Sequence, residues 1–349
     1  MKKLLITTAA ALALALPAIA QDEPAEAPSP NEIVDAAPAS EWVTIAPEDL
    51  LVMTLAPDAG GNAREVVIQL MPAPFSQGWV ENIRTLARAG WYDGITVNRV
   101  QDNYVVQWGD PNYDNPEAEG EAKPLPVGLR VMGEEDYSVI SPSFFRELQD
   151  KFRGQKLGSA GAAILRAMKV EQPTLQGIGR NPPGNPDPYS ILSGTLKGWP
   201  VGSDNDRVWP VHCYGMVGVG RGYSPDTGSG AELYTVIGHA PRHLDRNIAL
   251  VGRIIEGMEH LSSLPRGSGA LGFYTEDEFD KRAPILSVRV ASDIAEFPLP
   301  KFQYLSTESD TFAKYADARA NRRDPFFIYP ADGADICNIP VPIRRVPTE

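Results

Sequence analysis

The stretch YDGITVNRVQDNYVVQWGDP, Tyr92 to Pro111, carries an arginine, a tyrosine and a glutamine where aliphatic residues would pack better. Two β-rich runs, Ile95–Val100 and Tyr104–Trp108, joined by Gln101, Asp102 and Asn103, predict a hairpin. On such a hairpin Arg99, Tyr104 and Gln107 are either solvated strand residues or a working surface that faces a ligand. Such a surface would offer hydrogen-bond donors and an aromatic face, not a nucleophile.

Other chemistries are poorly supplied. The run GMVGVGRG offers Gly218 and Gly220 of a dinucleotide-binding pattern, but Tyr223 stands where the third glycine belongs and no long helix signal follows. His239, His243 and Asp245 lie close together, yet no G-x-S-x-G elbow accompanies them. Cys213 and Cys337 have His212 nearby but no C-x-x-C spacing, so no zinc site is predicted. No metal and no organic cofactor is expected.

Positioning the hairpin falls to the β-rich segments around it. Leu50–Leu55 and Glu65–Leu70 read as paired strands across a turn cluster, Pro57 to Asn62. A helix is predicted over Ser76–Ala89, where Trp79, Val80, Ile83, Leu86 and Ala87 recur at three- and four-residue steps and Gly90 stands at the cap position. The β pattern resumes at WPVHCYGMVGVGRG and continues through Leu233–Ile237, Ile248–Ile255 and Ile285–Ala291, with a short helix near Glu256–Leu264. In the last strand Leu286, Val288 and Val290 fall on one face and Ser287, Arg289 and Ala291 on the other. Many strands, few helices and one plugging amphipathic helix predict a mainly β fold, a closed antiparallel barrel rather than a doubly wound sheet.

Residues 1–20 read as an export signal: Lys2 and Lys3, an apolar run from Leu4 to Leu16, then Pro17 and the small-residue pattern Ala18, Ile19, Ala20. That run is shorter than the roughly 20 apolar residues a bilayer requires. No later stretch is long and apolar enough to span one, so the mature chain is expected to be soluble and periplasmic. Removing Lys2 and Lys3 with the leader moves the formal charge from −13 to −15. Such acidity argues against nucleic acid, whose phosphates need clustered Lys and Arg. The two cysteines are compatible with a disulfide or with two buried thiols.

Residues 21–40, rich in Pro, Ala and acids and without a basic residue, predict a disordered linker. The barrel domain is expected over 41–292, its core in 48–111 and 211–292. An insertion, 112–210, interrupts it with short helices at Phe144–Phe152 and Ser159–Val170 and an irregular stretch Gln172–Pro200. It is expected to pack on the barrel as an elaboration. A C-terminal extension, 293–349, follows, with a helical run near Thr311–Arg322.

Taken together, three blocks resemble the cyclophilins, the β-barrel family of peptidyl-prolyl cis-trans isomerases. They are VVIQLMPAPFSQGWVENIRTLARAGWYDGITVNRVQDNYVVQWGDP, then YGMVGVGRG, then SGAELYTVIGHAPRHLDRNIALVGRIIEGME. The resemblance implies that Arg99 is the catalytic arginine and Gln107 the glutamine that steadies it. It makes Tyr104, Val105 and Tyr234 the residues of a proline pocket and Leu244 its wall. Gly220, Arg221, Glu232 and His243 fall at further substrate-binding positions. Departures are visible: Glu232 stands for a glutamine, His243 for an aromatic residue, Arg221 for an asparagine, Ile248 for a histidine and Trp108 for a glycine.

The chemistry so implied matches the hairpin. Rotating an Xaa-Pro bond breaks amide resonance against a barrier of roughly 18–20 kcal/mol, and uncatalysed exchange takes tens to hundreds of seconds or more. A catalyst must bind the twisted amide better than either planar form, and a fixed guanidinium is a suitable donor to the lone pair the proline nitrogen regains. The partners implied are proline-containing unfolded or folding polypeptides. The substituted pocket positions and the insertion keep a second class open, a cyclophilin-like barrel that binds peptide without turnover as a chaperone or scaffold.

Overall fold

The computed structural model describes residues 27–113, 118–141, 187–204, 206–294, 301–331 and 333–347. The stretch expected to be an export signal, both helices expected inside the insertion and the first part of the 172–200 stretch lie outside the described residues. In chain order the strands are β1 Trp42–Thr44, β2 Leu50–Leu55, β3 Arg64–Leu70, β4 Thr96–Val100, β5 Val105–Gly109, β6 Val139–Ile140, β7 Leu192–Leu196, β8 Trp199–Asp204, β9 Arg207–Pro210, β10 Met216–Val219, β11 Leu233–Val236, β12 Leu250–Glu256, β13 Ile285–Val290, β14 Phe302–Leu305 and β15 Ile343–Arg345. The α-helices are α1 Pro30–Asp35, α2 Gln77–Arg88, α3 Glu259–Ser262 and α4 Asp310–Ala320.

Eight strands form one antiparallel sheet in the order β13-β2-β3-β12-β10-β11-β5-β4. Its two edges meet. Thr96 bridges Pro284, and backbone bonds run from Gly94 N–H to the Ile285 carbonyl (2.9 Å), from Ile285 N–H to Ile95 (2.8 Å) and from Val97 N–H to Ala283 (2.9 Å). Curling the sheet onto itself pairs edges that would otherwise invite aggregation. The result is a nearly closed barrel.

Alternation along the strands fills its interior. Met53, Val66, Ile68, Val97, Val106, Trp108, Val217, Val219, Leu233, Val251, Ile285 and Val288 share one buried cluster. Helix α2 plugs an opening with Trp79, Val80, Ile83, Leu86 and Ala87, all within that cluster. The Trp79 indole N–H is satisfied by the carbonyls of Thr227 (3.1 Å) and Gly228 (3.0 Å). Gly90, at φ +64°, takes the left-handed conformation that ends the helix.

The runs LLVMTL and VVIQL are apolar on both faces for a reason outside the barrel. Leu50, Val52 and Val67 face outward and are covered by Ile45, Ala291 and Phe302. Phe302 lies on β14, which is flanked by β1 and β15 in a separate three-stranded sheet. This layer also corrects the expected linker: residues 30–35 form α1. Ser29 accepts the Glu32 N–H, Glu32 returns a bond to the Ser29 N–H, and Pro30 opens the helix. Ile33 and Val34 pack on Trp42, Leu305, Phe312 and Tyr315, the last two from α4. An acidic Pro-rich composition is outweighed here by a complete cap and a partner to pack on.

The described part of the insertion contains a four-stranded sheet, β6-β9-β8-β7, where irregular and helical structure was expected. Pro200 and Pro210 mask its strand pattern in the sequence. Leu192, Trp199, Val201 and Val208 from this sheet belong to the same buried cluster as the barrel residues. One register shift also matters. Between Ile285 and Ser287 the β13–β2 pairing slips, so Leu286 is exposed while Ile285, Val288 and Val290 are buried; the expected alternation fails at that bulge.

Candidate active site

On β5 the pleat divides two jobs. Val106 and Trp108 face the barrel interior, which accounts for the large Trp108, while Val105 and Gln107 face outward. On β4 a register shift between Val97 and Arg99 lets Val97 and Val100 stay buried while Arg99 turns out. Pairing then builds a row across four strands: Arg99 opposes Gln107, Gln107 opposes Tyr234, and Tyr234 opposes Gly218. Residues 135 apart in sequence thus become neighbours by register alone.

The guanidinium of Arg99 is held on three sides. Nε donates to the Leu271 carbonyl (2.7 Å), Nη1 to the Gln107 Oε1 (3.2 Å) and Nη2 to the Gln101 Oε1. Its Cζ lies 5.7 Å from the Tyr104 ring centroid and 5.6 Å from that of Phe273, within cation–π range. Burial pulls the guanidinium below its ordinary value, with Tyr104 and Tyr234 opposing; it stays a cation at neutral pH. One N–H on each Nη is left to point at a ligand. None of the three acceptors is a carboxylate, so the charge is oriented but not cancelled.

Beside it opens a cavity of about 780 Å³ lined by Arg99, Tyr104, Val105, Gln107, Gly220, Arg221, Gly222, Tyr223, Tyr234, Leu244, Ile248, Leu271 and Phe273. Its floor is a small apolar cluster separate from the barrel core: Val105, Tyr234 and Val236, with Tyr104, Leu244 and Ile248 packed on it. Arg221 is fixed on the rim by backbone carbonyls, Nε and Nη2 on Asn247 (3.0 and 2.8 Å) and Nη1 on Gly222 (2.7 Å).

Eight of the ten residues singled out in the sequence thus surround one cavity: Arg99, Tyr104, Val105, Gln107, Gly220, Arg221, Tyr234 and Leu244. Two are placed elsewhere. Glu232 is buried, its carboxylate lying over the bare backbone of Gly109 and accepting the Asp110 N–H (2.8 Å). It satisfies the backbone at the end of β5 and does not line the cavity. His243 stands behind Tyr104 with its ring parallel at 6.4 Å, backing the floor without lining it.

Gly222, Tyr223, Leu271 and Phe273 also line the cavity but were not expected there, and Ile248 was noted only as standing for the family's histidine. Leu271 and Phe273 come from the loop after α3, and nothing in their own sequence marks them. The loop reaches Arg99 because Gly272 (φ +83°) has no side chain, a Cβ there falling 2.7 Å from the Cα of Gln101.

An antiparallel barrel with a steadied arginine beside an apolar groove on its outer wall defines the cyclophilin class of fold and site. The profile of the family described as cyclophilin type peptidyl-prolyl cis-trans isomerase/CLD matches residues 62–290. The chain belongs to that family, the cyclophilin-type peptidyl-prolyl cis-trans isomerases. Among solved structures, the cyclophilin AquaCyp293 from Hirschia baltica is 20% identical, with a TM-score of 0.56 over 88% of this chain and 94% of that one; the likeness is one of fold. A Cryptosporidium parvum cyclophilin-type isomerase, crystallised in the presence of the dipeptide Ala-Pro, matches at 10% identity and a TM-score of 0.34, over 68% of this chain and 98% of that one. No curated protein matches the sequence. No helix among the described residues is long and apolar enough to cross a membrane.

Proposed function

We propose that this chain isomerises Xaa-Pro bonds of unfolded or folding proteins after export, in the periplasm. The leader pattern Lys2 to Ala20 supports the location, and the groove supports the chemistry. One observation carries the reading: Arg99, oriented by Gln107, stands beside an open apolar pocket with N–H groups to spare.

A proline ring entering the pocket rests on Tyr104, Val105, Tyr234 and Leu244, gaining roughly 25 cal/mol for each Å² of apolar surface removed from water. As the amide twists, conjugation is lost and its nitrogen becomes pyramidal and basic. The free N–H groups of Arg99 meet that developing lone pair, an interaction the planar forms do not offer. Leu271, Gln107 and Gln101 hold the guanidinium before substrate arrives, so little reorganisation opposes the step. No covalent bond to protein forms and no proton is transferred. An isomerisation assay on a proline peptide, using the protein without residues 1–20, tests this: the rate of cis-trans exchange rises above buffer in proportion to enzyme.

A second reading, a peptide-binding barrel without turnover, draws on Arg99 itself, since three of its five N–H groups are already engaged. Saturable peptide binding with no acceleration over buffer would select it.

A further inference from the structure

Behind the pocket floor runs a chain of buried polar groups that isomerisation does not use. The Tyr234 hydroxyl lies 2.9 Å from His212 Nε2, and His212 Nδ1 lies 2.9 Å from Asp245 Oδ1, which also accepts the His212 backbone N–H (2.9 Å). Asp245 Oδ2 accepts from Arg242 Nε (2.7 Å), and Arg242 Nη2 donates to Asp187 Oδ2 (2.9 Å). His212 is fully buried and none of the others exceeds 6% exposure.

We propose that His212 is a positioning residue: it anchors the Tyr234 hydroxyl and so holds the ring in place as the pocket floor. The inference rests on the groove being a proline site. The direction of each bond follows from chemistry. A carboxylate paired with Arg242 only accepts, so Nδ1 carries the proton, and in the neutral ring Nε2 accepts the tyrosine O–H. Burial pushes the Tyr234 hydroxyl well above its ordinary 10.0, keeping that proton available to donate. The two rings are nearly parallel, 9° apart at 6.4 Å. Gly218 supplies the slot: a Cβ at that position would collide with the hydroxyl.

An apolar floor would be served by a ring without a hydroxyl. Tyrosine needs an outlet for its polar end, because an unsatisfied hydroxyl either stays buried at a cost or swings toward solvent, and the open side here is the groove. His212 is held from outside the barrel as well. Its neighbour Cys213 is joined to Cys337 by a disulfide, and Asp335 Oδ2 lies 3.7 Å from Arg242 Nη1. The C-terminal segment and the segment at Asp187 therefore brace the floor from behind.

The test is a titration of the protein without residues 1–20 with the tetrapeptide Ala-Ala-Pro-Phe, alongside turnover. His212→Leu is expected to raise both Kd and KM about tenfold with kcat within about twofold, because Arg99 is untouched. Adding Tyr234→Phe to that variant removes the stranded hydroxyl and recovers most of the lost affinity, a non-additive cycle that a general loss of stability does not produce. Should His212→Leu not fold, NMR of the unsubstituted protein gives the answer: the Tyr234 hydroxyl proton is expected to be protected from exchange and close to the His212 ring. Binding by His212→Leu within about twofold of the parent, no recovery in the double variant, or a freely exchanging hydroxyl overturns the proposal. A parent that binds but does not turn over overturns the isomerase reading alone.

Discussion

Replacing Arg99 with alanine isolates the proposed catalytic contact. The loss can be sized from the surroundings of the guanidinium. A preorganised donor aimed at developing charge is worth about 2.7–4 kcal/mol when removed, and each 1.36 kcal/mol is tenfold in rate. The groove is open to water on one side, which places Arg99 at the low end, a fall of about 100-fold in kcat/KM. The pocket floor is unchanged, so the loss is expected in kcat with KM nearly constant. Gln107 and Leu271 line the groove and Gln101 is only half-buried, so water can replace the lost donor and unfolding free energy should change by no more than about 1 kcal/mol. Arg99→Lys keeps a charge but loses the planar fork that reaches all three acceptors, and should recover only part of the rate. The assay is exchange of a proline peptide followed with enzyme in excess and in trace, with chemical denaturation in parallel. Arg99→Ala turning over within about threefold of the parent while folded refutes the reasoning.

Gln107→Leu preserves volume but lets the guanidinium drift; kcat should fall about tenfold, less than for Arg99→Ala, since one of three anchors is lost. Cys337→Ser opens the bridge to Cys213, 124 residues away; chain entropy alone sets the loss at about 5 kcal/mol, readable as a lower denaturation midpoint in urea. Glu278 is held at about 2, below its ordinary 4.5, by Lys281 and the N–H groups of Ser268 and Thr275. A depressed folded pKa contributes stability that is complete above about 4.5 and lost as pH falls toward about 2. Denaturation midpoints of Glu278→Gln should therefore converge on those of the parent as pH drops through that window, and parallel curves would contradict the assignment.

What the sequence disclosed followed from where its signals were local. β2 and β3 carry largely apolar runs, the hairpin has a polar turn, and α2 has a clean helical stripe; all three are found within a residue or two of their expected ends. Arg99 and Gln107 raised a question where aliphatic residues would pack better, but on the hairpin alone they read as solvated side chains, and only the resemblance of the three blocks together gave them roles. The misses are non-local. Glu232 looks like any groove residue until the bare backbone of Gly109 and the Asp110 N–H draw it inward. Phe273 is marked only by its contact with Arg99. The sheet of the insertion is disguised by prolines, and α1 is too short for periodicity, although Ser29, Pro30 and Glu32 spelled out its cap. Cys213 and Cys337 were undecided because pairing depends on proximity that spacing cannot supply; the structure joins them.

The small sheet β1-β14-β15 has an implication for how the chain is made. β14 is the middle strand, with Trp42 opposite Leu305 on one side and Phe302 opposite Arg345 on the other. During synthesis the segment around Trp42 emerges early yet has no neighbour to pair with until residues 302–305 leave the ribosome. The pairing of β2 with β13 waits in the same way. Such long-range closure is slow, and a chain that stays open until its last stretch is complete is what the proposed export through a narrow channel would need.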